Sequence, residues 1–459
     1  MNIETIRKTI KKYTGGHAAL VEGTKVAERY YRNQNDILNK PVNTDELDNP
    51  LRNADNRVCN NFHGLLVNQK ASYLFTSPPL FDVGSNQTNK KITEVLGDRF
   101  SKVCKDLCIN ASNAGIAWLH YWISDKGQFK YAVIDSKQVI PVWSKDLERE
   151  LLGVFRSYTQ MDEDTGETYD IYEYWNDEGC QAFRKLNSTS MDELMEYPMF
   201  ESYPDGQINR LKHDFGTVPF IPFMNNNVTE GDLVNIKGHV DTYDNVYSGF
   251  VNDLEDIQEI IFVLSGYEDE DLGAFLNQLK KYKTVKTTSY SDTDKAGLST
   301  LSIDIPVEAR KELLEITRRA IFEKGQGVDP QQQDFGNASG VALKFMYSLL
   351  ELKAGLLETE FRLGFGDFVR AICHYLRSDC QAITQTWTRT AITNDSEAAE
   401  ICKGSYGITS NKTILANHPF VEDVTREMKE IKKEKKEEYT EYDSYAGAFG
   451  QPIGDDQDE

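Results

Sequence analysis

Apolar residues near the start recur at helical spacing. Ile3, Ile6, Ile10 and Tyr13 form one stripe, and Gly15-Gly16 is expected to end it. A second helical segment is predicted from Ala18 to Leu38, then a polar loop carrying Pro41 and Pro50. A third helix is predicted from Arg57 to Leu74, stopped by Ser77-Pro78-Pro79, and a fourth from Lys91 to Ser112. From Ile116 to Phe223 the period changes to two. Ile116–Ile123, Phe129–Ile134 and Val139–Val142 read as strands, and Asp125-Lys126-Gly127 is the turn between the first two. Leu152–Tyr158 and Thr168–Trp175 form a second hairpin around Asp162–Gly166.

The longest regular pattern begins at residue 236. Apolar side chains stand at 236, 240, 243, 247, 250, 254, 257, 261 and 264, spaced alternately by four and three. That predicts a helix of about 29 residues, roughly 43 Å long. A small insert follows, with Leu272–Leu279 helical and strands at Lys283–Tyr290 and Leu298–Ile305. Pro306 opens a further helix through Lys324, whose Arg310, Lys311, Arg318, Arg319 and Lys324 are suited to pair with the acidic helix. After a loop from Gln326 to Gly340, a long helix is predicted from Val341 to Leu376. Leu349, Leu352, Leu356, Phe361, Phe365, Phe368 and Ile372 form its apolar side, and Gly364 and Gly366 are expected to bend it. Ser410 is placed to cap a short helix, Asn411–Ala416, and a Lys/Glu-rich helix is expected from Val421 to Tyr439 before an acidic tail over 444–459. The fold class is α+β, mainly helical with a β-rich meander.

The 459 residues carry a net charge of −22, which excludes a protein that coats nucleic acid by neutralising phosphates. It leaves open one that nucleic acid passes through. No stretch approaches the roughly 20 apolar residues of a membrane helix, and no secretory signal is read at Met1–Thr5, so a cytosolic chain is expected. The seven cysteines suit no disulfide framework; Cys104 and Cys108, four apart on one helix, read as core thiols rather than half of a zinc site. The chain contains no Gly-Lys dipeptide for a phosphate loop, no His-Glu for a zincin helix, and no Gly-x-Ser-x-Gly for a nucleophile elbow. No cofactor or metal is expected, and an enzyme is disfavoured.

Charge is concentrated around the long stripe. Residues 230–280 hold twelve acids against two bases, nearly half of the chain's net charge in about one ninth of its length. Carboxylates such as Asp253 and Asp256 can hold Mg²⁺, so a metal-dependent DNA-processing enzyme stands as one alternative. A scaffold whose long helices pack within one chain is another.

The run Tyr243, Ser248, Asn252-Asp253-Leu254-Glu255-Asp256, then Asp329-Pro330, then Gly336-Asn337-Ala338-Ser339-Gly340-Val341-Ala342-Leu343-Lys344, resembles portal proteins of tailed double-stranded-DNA bacteriophages, of the siphophage type. Gly407-Ile408-Thr409-Ser410-Asn411-Lys412-Thr413, with Pro419, Val421-Glu422-Asp423 and a Glu/Lys helix, resembles the same family. The resemblance covers roughly residues 20–440. It implies a dodecameric ring at one capsid vertex, in the virion and, during assembly, in the host cytoplasm, through which the genome is packaged and ejected. It assigns 1–232 and 341–407 to a wing, 233–265 and 306–324 to a stem, 266–305 to a clip, 325–340 to a tunnel loop and 408–459 to a crown. The implied partners are the terminase large subunit, a head-completion or adaptor protein, the major capsid and scaffolding proteins, and double-stranded DNA in transit; no membrane is involved.

On this reading Gln331, Gln332, Gln333, Asp334 and Asn337 line the channel at the tunnel loop, and Asp253, Asp256 and Glu259 face it from the stem. Glu268, Asp269, Glu270, Asp271, Lys281 and Lys283 are the clip candidates for partner docking. Basic walls would bind phosphates at each step; acidic walls leave the polymer's counterions in place and let it slide.

Overall fold

The structure, a computed structural model, describes residues 2–41, 54–202, 206–256, 261–265, 297–301, 306–331, 345–380, 382–389, 395–421, 424 and 426–434. Two compact units divide the chain: residues 1–329 with 349–389, and residues 330–348 with 390–459.

In the first unit, α1 (Ile3–Tyr31) runs unbroken through Gly15-Gly16, where a stop was expected. The glycines weaken a helix by about 1 kcal/mol each, but the segment is held at both ends. Ile6 and Ile10 are buried with Phe155, Tyr172, Tyr174 and Phe183, and Ala27 and Tyr30 with Phe62 and Leu66. Packing outweighs local propensity. α2 spans Phe62–Leu74, starting later than the pattern indicated because Asn61 caps it, accepting from the Gly64 amide at 3.0 Å. The expected fourth helix is two, α3 (Asn86–Leu96) and α4 (Phe100–Ala114), separated at Gly97, whose φ of 59° lies in the left-handed region.

Among the described residues the β-rich block forms two larger antiparallel sheets and a two-stranded pairing of Phe200–Ser202 with Gly206–Ile208. Strands β2 (Ile116–Ile123) and β3 (Phe129–Ile134) join β9 (Phe220–Met224) in one sheet, with β2 central; β1 (Leu80–Asp82) pairs instead with a late strand, Thr384–Thr386. The other sheet runs β8-β7-β6-β5-β4, where β4 is Val139–Trp143, β5 Leu151–Met161, β6 Thr168–Trp175, β7 Gly179–Leu186 and β8 Arg210–Lys212. Both expected hairpins are present, with Phe155 opposite Tyr174 in the β5–β6 register.

The stripe from residue 236 makes helix α5 over Lys237–Asp256, but not over its whole expected length. Ile261–Ser265 is strand β10, paired antiparallel with β11 (Gly297–Leu301), Ile261 opposite Leu301. Every residue from 260 to 264 is apolar, so positions 261 and 264 fit any period; the β-branched, aromatic run suits a strand. Helix α6 spans Val307–Gly325 with Pro306 at its N-cap. Helix α7 (Ser348–Tyr375) passes Gly364 and Gly366 without a break. At Gly364 the missing side chain serves close approach: a Cβ there would lie 2.7 Å from the Phe223 ring. Phe223, Phe361, Phe365 and Phe368 anchor the main core with Phe75, Phe100 and the buried thiols Cys104 and Cys108, while Leu352 and Leu356 on the expected apolar side are exposed. Burial pushes both thiols up, Cys108 to about 11, as fits packed core groups.

In the second unit, a helix at Asp395–Gly404 buries Cys402, and Ser410 caps Asn411–Ala416 as expected, its Oγ 3.2 Å from the Thr413 amide. Residues 426–434 of the expected Lys/Glu helix are helical. The mixed helical and strand content is that of an α+β protein.

Candidate functional site

Helices α5 and α6 pack on each other and differ along their length. Near the start of α5, Leu233, Ile236 and Val240 are buried with Phe62, Ile321 and Phe322, and Phe62 meets Tyr243 edge-on at 4.9 Å. Further along α5 the apolar stripe loses its cover: Tyr247 is 36% and Leu254 49% exposed. Polar contacts replace it. Arg310 pairs with Asp253 and lies over the Phe250 ring at 5.5 Å, as the basic residues of α6 were expected to do. Lys324 Nζ donates to His239 Nε2 at 2.8 Å.

The other side of α5 faces the N-terminal segment. Buried Asp244 accepts from Asn60 N at 3.0 Å, Asn60 Nδ2 at 2.9 Å and Asn35 Nδ2 at 2.5 Å. Burial pushes its carboxyl up, against the pull of these donors. Lys237 joins Asp241 at 2.8 Å and Asp36 at 2.6 Å, Ser248 receives the Val58 amide at 3.0 Å, and Glu255 accepts from Asn56 at 2.5 Å. The described acids of α5 are thus engaged within the chain, Asp253 included. The Asp256 side chain and Glu259 lie outside the described residues, as do Glu268, Asp269, Glu270, Asp271, Lys281 and Lys283.

Both roots of this hairpin converge on a buried polar cluster. Asp232 stands just before α5, and Gly325 is the last residue of α6. Lys70 of α2 and Lys353 of α7 both reach the Asp232 carboxylate, at 2.6 and 3.1 Å, and Asn225 Nδ2 donates to its second oxygen at 2.9 Å. The two ammonium groups and Asn225 hold the Asp232 carboxyl well below the usual range against the opposing effect of burial. Lys353 Nζ also donates to the Gly325 carbonyl at 2.8 Å.

Three more bonds fix the residues that follow. Gln69 donates to the Val328 carbonyl at 2.7 Å and accepts its amide at 3.1 Å. Arg318 grips Asp329 at two points, 2.9 and 2.7 Å. Side chains from α2, α6 and α7 therefore hold residues 325, 328 and 329, at the start of the loop singled out by sequence. Of its candidates, Gln331 is exposed, and Gln332, Gln333, Asp334 and Asn337 lie outside the described residues. Sequence reading passed over Gln69, Lys70 and Lys353. The signal was there for two of them: Lys70 adjoins Val67, Ala71 and Leu74, and Lys353 adjoins Leu350, Ala354 and Leu357, all buried helix positions.

Among the described residues no group of three or more His, Cys, Asp or Glu side chains is placed to hold a metal, and no helix is long and apolar enough to cross a membrane.

Comparison with known proteins bears on this arrangement. The family model described as "Phage portal protein, SPP1 Gp6-like" matches residues 10–441. A portal protein of Clostridium phage phiCD119 is 44% identical over 446 residues, covering 94% of this chain and 95% of the relative. A portal protein of Bacillus phage SPP1 is 29% identical over 421 residues, covering 87% and 81%. Among solved structures, a chain in the neck of an empty GTA particle, computed with C6 symmetry, matches with a TM-score of 0.44 at 11% identity, over 77% of this chain and 88% of that one.

Proposed function

The chain belongs to the SPP1 Gp6-like phage portal protein family, and from that premise we propose that its copies close into a dodecameric ring around a channel for DNA. It is a structural component of the phage capsid. The observation that carries the reading is the family match from residue 10 to 441 together with the 44% identity to a portal protein along almost the entire chain. The rest of the proposal takes up the sequence assignments. Residues 1–232 and 341–407 are the wing, 233–265 and 306–324 the stem, and 408–459 the crown, which meets the capsid interior, major capsid and scaffolding proteins. Residues 266–305 are the clip, where Glu268–Asp271, Lys281 and Lys283 dock the terminase large subunit and later a head-completion protein. The chain does no chemistry on DNA.

Residues 325–340 are the tunnel loop, with Gln331–Asp334 and Asn337 toward the DNA. The clamp on 325, 328 and 329 supports this reading, because a loop exposed to a moving polymer needs a fixed base. The stem adds the expected pairing of its two helices to this picture. Asp253 faces Arg310 rather than standing as a free carboxylate, so the proposed wall is neutral at that level and negative only where Asp256 and Glu259 add charge. A neutral pair binds no phosphate and still permits sliding.

Heads assembled without the chain are expected to contain no packaged genome, and supplying the chain during assembly is expected to restore it. Heads that fill with DNA in its absence would overturn the proposal.

A further inference from the structure

We propose that Lys353 is a positioning residue that locks both roots of the α5–α6 hairpin to helix α7, so that the base of the loop moves with α7 as one body. The argument begins with charge. Lys70 is 1% exposed and the side chains of Asp232 and Lys353 are 8% and 12% exposed, so two cations share one carboxylate away from water. A buried surplus charge is costly unless something compensates it. Here the compensation is the end of α6. Its last carbonyl, Gly325, accepts from Lys353 at 2.8 Å, and a helix C-terminus carries a partial negative charge.

The surplus charge of the cluster is therefore offset only while the end of α6 is docked. If that end lifts away, Lys353 keeps half a partner and the site holds an uncompensated cation. The same ammonium bonds Asp232, whose own amide donates to the Ser112 carbonyl at 2.7 Å, so the start of α5 is tied in as well. One side chain on α7 thus touches the residues where the hairpin enters and leaves the core.

The contrast with Gln69 sharpens the inference. Gln69 bonds Val328 twice and, being neutral, has no part in the charge balance. Lys353 bonds Gly325 and Asp232, so its effect on Val328 is expected to pass through Gly325.

Amide hydrogen exchange on the full chain, in whatever assembly it adopts, tests this, because exchange reads local opening residue by residue. Lys353→Met leaves Lys70 and Asp232 as a balanced pair. It is expected to speed exchange about tenfold at Asp232, Gly327 and Val328 while leaving Val154 in the sheet unchanged. Gln69→Leu is expected to speed Val328 only. If Lys353→Met does not fold, Lys353→Arg, which keeps the cation but displaces the donor from Gly325, is expected to speed Gly327 and Val328. Unchanged exchange at Gly327 in the variant that folds, a uniform rise that includes Val154, or identical patterns for the Lys353 and Gln69 variants would each overturn the proposal. Its importance for DNA rests on the reading of 325–340 as the tunnel loop; failure to form a ring removes that reading without altering the exchange result.

Discussion

Arg318 and Asp329 meet in a two-point ion pair, Nε to Oδ2 at 2.9 Å and Nη2 to Oδ1 at 2.7 Å, with 19% and 15% of their side chains exposed. The pair joins the body of α6 to the residue before Pro330, inside the first part of the proposed tunnel loop of 325–340. Arg318 also lies over the Phe322 ring at 5.1 Å, so its guanidinium is held on a face and at an edge. Arg310 and Asp253, further from the core, form a more exposed pair, at 25% and 32%.

The difference in exposure predicts an order of effects. Asp329→Asn is expected to cost about 2 to 3 kcal/mol, because it leaves a largely buried guanidinium short of its partner. Asp253→Asn is expected to cost less than about 1 kcal/mol. Urea midpoints for the two variants check the order, and equal losses would contradict it.

Glycines in helices should respond in opposite directions. Apart from the adjoining residues and the helix's own backbone, no atom lies within 4 Å of a Cβ built at Gly15 or Gly16, so alanine at either position is expected to stabilise by about 0.5 to 1 kcal/mol. Gly364→Ala drives a methyl into Phe223 and is expected to destabilise by about 1 to 3 kcal/mol. Thermal midpoints that move the same way for both sites would contradict this account.

Two buried histidines set an acid limit. Burial lowers His63 and His120 from 6.5 to about 4, even though Asn113 and the Pro219 carbonyl, respectively, favour the protonated ring. The folded chain then binds fewer protons than the unfolded chain between those values. Their contribution is complete above pH 6.5 and is lost as the pH falls toward 4, on the order of 3 kcal/mol each. Unfolding midpoints measured from pH 7 to pH 4 are expected to fall, and His120→Phe to flatten part of the slope. A slope unchanged in that variant would remove His120 from the explanation.

The loop makes a separate prediction. Deleting Gln331–Asp334 is expected to leave assembly intact, since the clamped residues end at Asp329, and to impair genome packaging or retention. Assembly failure in the deletion, or normal packaging, would count against the assignment of 325–340.

Much of the fold was legible because burial imposes periodicity. Ile236, Val240 and Tyr243 announced α5, the alternation in 116–175 announced both hairpins, and Ser410 announced its helix. Misreadings arose where a local signal met a stronger tertiary one. Gly15-Gly16 reads as a stop, yet Ile6, Ile10, Ala27 and Tyr30 are buried on either side and carry the helix through. The run 260–264 satisfied the helical period because it is apolar at every position, and pairing with Gly297–Leu301 decides its state. The site was harder to see. A buried lysine resembles an exposed one until its helix is drawn as a wheel, and no local pattern links Lys70, Asp232 and Lys353, which lie far apart in the chain and meet only after packing. The Arg310–Asp253 pair was easier to see, since the basic residues of α6 stand out in sequence opposite an acidic helix.

Ring closure is the claim on which the functional account turns, and native mass spectrometry with negative-stain imaging of the purified chain tests it directly. The account predicts annular particles with a central opening, whose mass is a whole-number multiple of 52.3 kDa. A stable 52.3 kDa monomer with no annular form at micromolar concentration would contradict it.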